Sequence, residues 1–136
     1  MIVREVMSLE PYAAAATASL RQVIRILGEA DVRHVPIVDE EKLVGIVSDR
    51  DLRALMPQAL ERFDQPGQVE RLLSQPVSQL MSSDVLTVAP DDELQEVIDL
   101  MIEHKIGAVP VVEPGSAQLL GIVSYVDVLR ATRELL

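Results

Sequence analysis

The chain contains no cysteine and no tryptophan, and its only aromatic residues are one phenylalanine and two tyrosines among 136 positions. Without cysteine, disulfide staples, thiolate zinc sites and a cysteine nucleophile are all excluded. That usage fits a cytoplasmic location. At 2% aromatic content, stacking platforms for nucleic-acid bases are scarce. Positive charge is also in short supply. Twelve Lys and Arg face 22 Asp and Glu, giving a net charge of −10 at pH 7, which argues against nucleic acid and against an anionic membrane surface. No apolar run approaches the ~20 residues of a membrane-spanning helix. The stretch "YAAAATASL" is preceded by Glu5 and Glu10 rather than by a basic segment, so it does not read as a signal peptide.

What the chain does have is apolar material, 49% of residues with a mean hydropathy of +0.23. That is enough for one compact domain, or for two small units sharing a core. The apolar residues recur in a pattern. "VMS" at Val6–Ser8 returns as "LMS" at Leu80–Ser82, with Met81 lying 74 positions after Met7. At the same spacing Leu20, Val23, Ile24, Val35, Pro36 and Val38 meet Leu94, Val97, Ile98, Val109, Pro110 and Val112. The second copy is two residues longer at "EPGSAQ", after which Gly45 meets Gly121. Such self-similarity marks one structural unit used twice, neither copy able to bury its apolar face alone.

Each copy reads as β-α-β-β-α, an α+β fold. "DVLTV" (Asp84–Val88) reads as a short strand, with "PYAAA" its weaker counterpart. An amphipathic helix follows, with Leu94, Val97, Ile98, Met101 and Ile102 on one stripe and Leu20, Val23, Ile24 and Leu27 on the other. Thr17 and Asp91 are the expected N-caps. Two short apolar strands come next, Val35–Val38 with Leu43–Val47 and Val109–Val112 with Leu119–Val123, and closing helices run from Ser48 and Ser124. The repeats span 1–56 and 77–136, and "PQALERFDQPGQVERLLSQP" (Pro57–Pro76) between them is a connector with one short helical stretch.

Both copies carry G-I-V-S-x-x-D where an apolar strand becomes a helix. One S-x-x-D is a capping box, in which the serine caps first-turn amides and the acid reaches back to the serine amide. The same geometry also suits a ligand. A helix N-terminus offers free N–H groups and the positive end of a dipole to a phosphate, and a carboxylate can accept both hydroxyls of a ribose. The motif alone leaves both readings open.

The full pattern, "VMS…VRHVPIVDEEKLVGIVSDRDL" and "LMS…HKIGAVPVVEPGSAQLLGIVSYVDVL", closely resembles a tandem pair of CBS (cystathionine β-synthase) domains, a Bateman module, from Val6 to about Arg130 except the connector. The resemblance implies two repeats packed about a pseudo-twofold axis through their sheets. It also implies two clefts that take adenosine-containing ligands such as AMP, ADP or ATP. By that resemblance Ser48 and Asp51, and likewise Ser124 and Asp127, contact phosphate and ribose. The adenine would lie in an apolar slot from the partner repeat, Met81, Val85, Leu86 and Ile106 for the first motif and Met7, Pro11, Tyr12 and Val32 for the second. Ordinary core packing is an equally good reading of these eight.

The two copies differ where phosphate would sit. Arg33, His34 and Arg50 in the first correspond to Gly107, Ala108 and Val126 in the second. His104 and Lys105, a basic pair at the end of the preceding helix, are suited to the helix dipole and are given no role. Catalysis finds little support: there are two histidines, no strained nucleophile elbow, and no Walker A, H-E-x-x-H or EF-hand pattern. No metal or catalytic cofactor is expected. The expectation is a non-catalytic sensor of adenine nucleotides, homodimeric as the family implies, acting on an unidentified regulated protein. A scaffold with S-x-x-D only as a cap, and a sensor of S-adenosylmethionine or NAD, are the alternatives.

Overall fold

The computed structural model describes residues 1–62 and 67–136, with 56–62 described by backbone alone. The elements in chain order are β1 (Ser8–Leu9), β2 (Ala14–Ala15), α1 (Leu20–Glu29), β3 (His34–Asp39), β4 (Lys42–Ser48), α2 (Asp49–Arg62), α3 (Gln68–Ser74), α4 (Leu94–His104), β5 (Ala108–Val112), β6 (Leu119–Ser124) and α5 (Tyr125–Arg133). The strands make two three-stranded sheets, ordered β2-β3-β4 and β1-β6-β5. No helix among the described residues is long and apolar enough to cross a membrane.

The chain forms two compact units assembled from interleaved segments. The first-repeat unit is Tyr12–Asp39 with Val44–Val85, and the second-repeat unit is Met1–Pro11, Glu40–Leu43 and Leu86–Leu136. In the first-repeat unit the core is Ala14, Val23, Val35, Ile37, Val47 and Val77, with Val32, Leu52 and Met81 packed against it. The second-repeat unit buries Val3, Val88, Leu94, Val97, Val109, Val111 and Val123, with Met7, Ile98 and Ile106 against them. Each fully buried valine contributes about 1.5–3 kcal/mol relative to exposure, so Val3 and Val77, far in sequence from the strands they cover, are structural members of those cores.

The duplicated sequence gives duplicated contacts. In the second-repeat unit β1 pairs antiparallel with β6, Ser8 opposite Ile122 and Leu9 opposite Gly121. In the first-repeat unit Ile46 of β4 forms an antiparallel bridge to Ser82. Parallel pairing repeats too, Ala14 with Ile37 and Val88 with Val111. Gly45 and Gly121 stand under these crossings. A Cβ on Gly121 would lie 2.7 Å from the Ser8 carbonyl oxygen and 3.0 Å from the Met7 sulfur, and one on Gly45 would collide with the Met81 sulfur. Gly121 is required by the close approach of the Ser8 backbone, whereas at Gly45 the nearest obstacle is the Met81 side chain, with the Ser82 carbonyl oxygen at 3.0 Å.

Several local expectations are corrected. Ser19, not Thr17, caps α1, accepting from the Gln22 amide while the Gln22 side chain accepts from the Ser19 amide. Asp91 does not cap α4; Glu93 stands at that position without a side-chain bond, and the Leu94 amide donates to the Met1 carbonyl instead. Asp91 is taken by Arg4 at 2.8 Å. "DVLTV" makes a single bridge at Val88 rather than a strand, whereas "PYAAA" supplies β2. Leu86 and Thr87 are exposed, so nothing but Val88 anchors that segment to a ladder. The connector is more helical than expected: α2 continues to Arg62 and α3 occupies Gln68–Ser74. Its residues 63–66 lie outside the described residues.

Candidate functional site

The two S-x-x-D motifs are both complete, reciprocal capping boxes at a strand-to-helix junction. At the end of β4 the Ser48 hydroxyl accepts from the Asp51 amide at 3.0 Å, and the Asp51 carboxylate accepts from the Ser48 amide at 2.9 Å. At the end of β6 the Ser124 hydroxyl accepts from the Asp127 amide at 3.3 Å, and Asp127 Oδ2 accepts from the Ser124 amide at 2.8 Å. The residue after each serine is tied to the residue just before the neighbouring strand, the Asp49 amide donating to the Arg33 carbonyl ahead of β3 and the Tyr125 amide to the Gly107 carbonyl ahead of β5. The cap therefore does structural work in both copies. It leaves one carboxylate oxygen of Asp51, Oδ1, unbonded among the described side chains.

The electrostatics of the two motifs diverge. Around Ser48 and Asp51, Asp49 sits between two arginines, 3.0 Å from Arg53 and 3.9 Å from Arg33. Arg50 projects from the first turn of α2 and is exposed. The counterparts of Arg33, Arg50 and Arg53 are the neutral Gly107, Val126 and Leu129, and Asp49 is replaced by Tyr125. His34, half-buried on β3, titrates below its ordinary value of 6.5. Burial is the main cause, Asp51 and Asp49 pull upward, and Arg33 adds to the lowering. His34 is therefore mainly neutral at pH 7 and adds no third positive charge beside the arginines. The positive charge near this motif rests on the arginines, of which Arg53 and, more distantly, Arg33 pair with Asp49.

The apolar residues sort by unit. Met81, Val85, Val32 and Tyr12 lie in the unit of Ser48 and Asp51; Met7, Pro11, Leu86 and Ile106 lie in the unit of Ser124 and Asp127. Val32 and Met81 pack on the core that holds Val47, and Met7 and Ile106 on the core that holds Val123. Tyr12 and Leu86 are exposed.

Two participants were missed by sequence reasoning. Arg53 pairs with Asp49 at i,i+4 spacing, a signal readable from the helix alone. Ser8 donates to Asp127 Oδ1 at 3.3 Å across 119 positions, and the repeat of "MS" was its only trace. Of the basic pair left without a role, Lys105 is the C-cap of α4 in the left-handed conformation, and His104 is exposed beside it.

Comparison with known proteins gives the family. The CBS domain family matches at residues 3–58 and again at 77–134. The structure of a putative acetoin utilization protein (AcuB) from Vibrio cholerae is 34% identical, with TM-score 0.81 over 99% of this chain and 92% of that one. The CBS domain pair of protein MJ0100, solved in complex with 5′-methylthioadenosine and S-adenosyl-L-methionine, is 27% identical, with TM-score 0.80 over 100% of this chain and 98% of the other. CBSX2, solved in complex with AMP, is 27% identical, with TM-score 0.82 over 98% and 97%. The chain spans only 14 to 40% of the length of three curated relatives that it matches at 26 to 30% identity. With both repeats matched and the whole chain superposing on CBS pairs, this protein belongs to the CBS domain family as a tandem pair.

Proposed function

We propose that the chain is a non-catalytic, cytoplasmic sensor module whose two S-x-x-D motifs bind adenine nucleotides, AMP, ADP or ATP, and that binding alters a surface read by a regulated protein. The observation that carries this reading is the first motif, a free carboxylate oxygen on Asp51 beside a helix N-terminus flanked by Arg33 and Arg50. A ribose diol suits the carboxylate, and phosphates suit the N–H groups and arginines. The AMP complex of CBSX2 supports the ligand class. The family resemblance assigns Met81, Val85, Leu86 and Ile106 to the adenine slot of this motif, and Met7, Pro11, Tyr12 and Val32 to that of the other.

Homodimerisation belongs to the same proposal. On α5, Leu129 is 60% exposed and Val126 37%, and Leu135 and Leu136 follow in the open, an apolar face suited to a second copy. A second reading of the ligand has its own support in the MJ0100 pair, solved with 5′-methylthioadenosine and S-adenosyl-L-methionine: the same carboxylate would take the ribose of another adenosyl compound.

Thermal melts across AMP, ADP, ATP, adenosine, S-adenosylmethionine and NAD test this. A ligand at 100 times its Kd should stabilise the fold by about 2.7 kcal/mol through mass action. Asp51→Ala should abolish the response of the tighter site, and Arg33→Ala should weaken ATP more than adenosine. A flat response to the whole panel would favour a scaffold in which S-x-x-D is only a cap.

A further inference from the structure

The two ribose-type carboxylates are not equally available. Asp127 Oδ2 accepts from the Ser124 amide at 2.8 Å, the Ser124 hydroxyl at 3.0 Å and the Ser8 hydroxyl at 3.4 Å, while Oδ1 accepts from the same Ser8 hydroxyl at 3.3 Å. Asp51 accepts only from the Ser48 amide among the described residues. Ser82, the repeat counterpart of Ser8, makes no side-chain bond to Asp51; its amide and carbonyl pair with Ile46.

Ser8 is held where it is by backbone, not by its side chain. It is opposite Ile122 in the β1–β6 pair. Upstream, Val3 is fully buried, its amide donates to the Asp92 carbonyl at 2.8 Å, and Arg4 pairs with Asp91. The hydroxyl can thus leave Asp127 by rotation about one bond, with the strand in place. Its two bonds are long against the 2.5–2.7 Å usual for a hydroxyl on a carboxylate, so the contact is releasable.

We propose that Ser8 is a latch on the second site: its hydroxyl occupies the Asp127 carboxylate, and a ligand diol binds there only by displacing it. This rests on the reading of Asp127 as a ribose acceptor. The latch makes the second site fill after the first, and it does so independently of the arginines that favour the first.

Calorimetric titration of AMP isolates the effect in an Asp51→Ala background, where the second site alone responds. Asp51→Asn, which keeps an acceptor oxygen for the Ser48 amide, serves in its place should Asp51→Ala lose the fold. Adding Ser8→Ala should tighten AMP binding by roughly two- to tenfold, the range of one modest hydrogen bond. The gain should recur with adenosine and vanish with 2′,3′-dideoxyadenosine, which has no diol to compete. Ser82→Ala in an Asp127→Ala background should leave the first site unchanged. If Ser8→Ala leaves AMP affinity unchanged or weakens it, the latch is overturned while nucleotide binding stands. If no variant and not the wild type takes up AMP, nucleotide binding falls and the latch with it.

Discussion

His34 is the residue whose environment most directly predicts a measurable property. Its folded-state value lies below 6.5 because burial disfavours the imidazolium more than Asp51 and Asp49 favour it. The unfolded chain therefore takes up the proton first as pH falls. Stability is fully present above pH 6.5 and declines as pH drops through 6.5 toward the lower folded value, with a slope no steeper than about 1.4 kcal/mol per pH unit for one proton. Urea unfolding at pH 7.5 and 5.5 should show the loss, and His34→Gln should shrink it. An undiminished difference in His34→Gln would assign it to other groups. The four motif residues Ser48, Asp51, Ser124 and Asp127 were legible in the sequence because a capping box is set by i to i+3 geometry. The proximity of Asp49 to Arg33 was not, because it depends on where the residue before β3 meets the start of α2. The Ser8–Asp127 contact was hidden for the same reason: strand pairing, not local sequence, brings it about.

Among the elements, glycines separate backbone crowding from helix propensity. Gly121→Ala puts a methyl 2.7 Å from the Ser8 carbonyl oxygen, and a paired β1 backbone cannot yield cheaply. A loss of about 1–3 kcal/mol is expected, the usual cost of overpacking. Gly28, near the end of α1, has nothing within 4 Å of the point where a methyl would stand, so Gly28→Ala should stabilise by about 0.5–1 kcal/mol. Equilibrium denaturation of the two variants checks both signs, and a stabilised Gly121→Ala would mean that the β1–β6 crossing is looser than described. The buried strands β3 to β6 were legible as short apolar runs between turn residues, within a residue or so of their ends. The leading segments were not. "DVLTV" carries the stronger strand composition, yet the two-residue ladder belongs to Ala14 and Ala15. For segments this short, a neighbour in the sheet decides the outcome and propensity does not. The misplaced caps have a similar origin, since the Leu94 amide already has the Met1 carbonyl as partner.

At the level of the whole molecule, the exposed apolar residues of α5 and the chain end predict self-association. Sedimentation equilibrium at micromolar concentrations should give about 30 kDa, twice the 15.0 kDa of one chain. A monomer there would send the α5 face to a different partner. The duplication was legible from the offset of 74 between Met7 and Met81, but the interleaving was not: a repeat read along the chain runs from its own "MS" onward, whereas the compact units exchange those leading segments. Val3 and Met7 of the first copy serve the core of the second, and Val77 and Met81 of the second serve the core of the first. For a gene subject to deletion and splitting, this ties the halves into a single heritable piece. Losing either coding half removes part of the other's interior, so a surviving lone repeat would have to recover a substitute segment from a separate molecule.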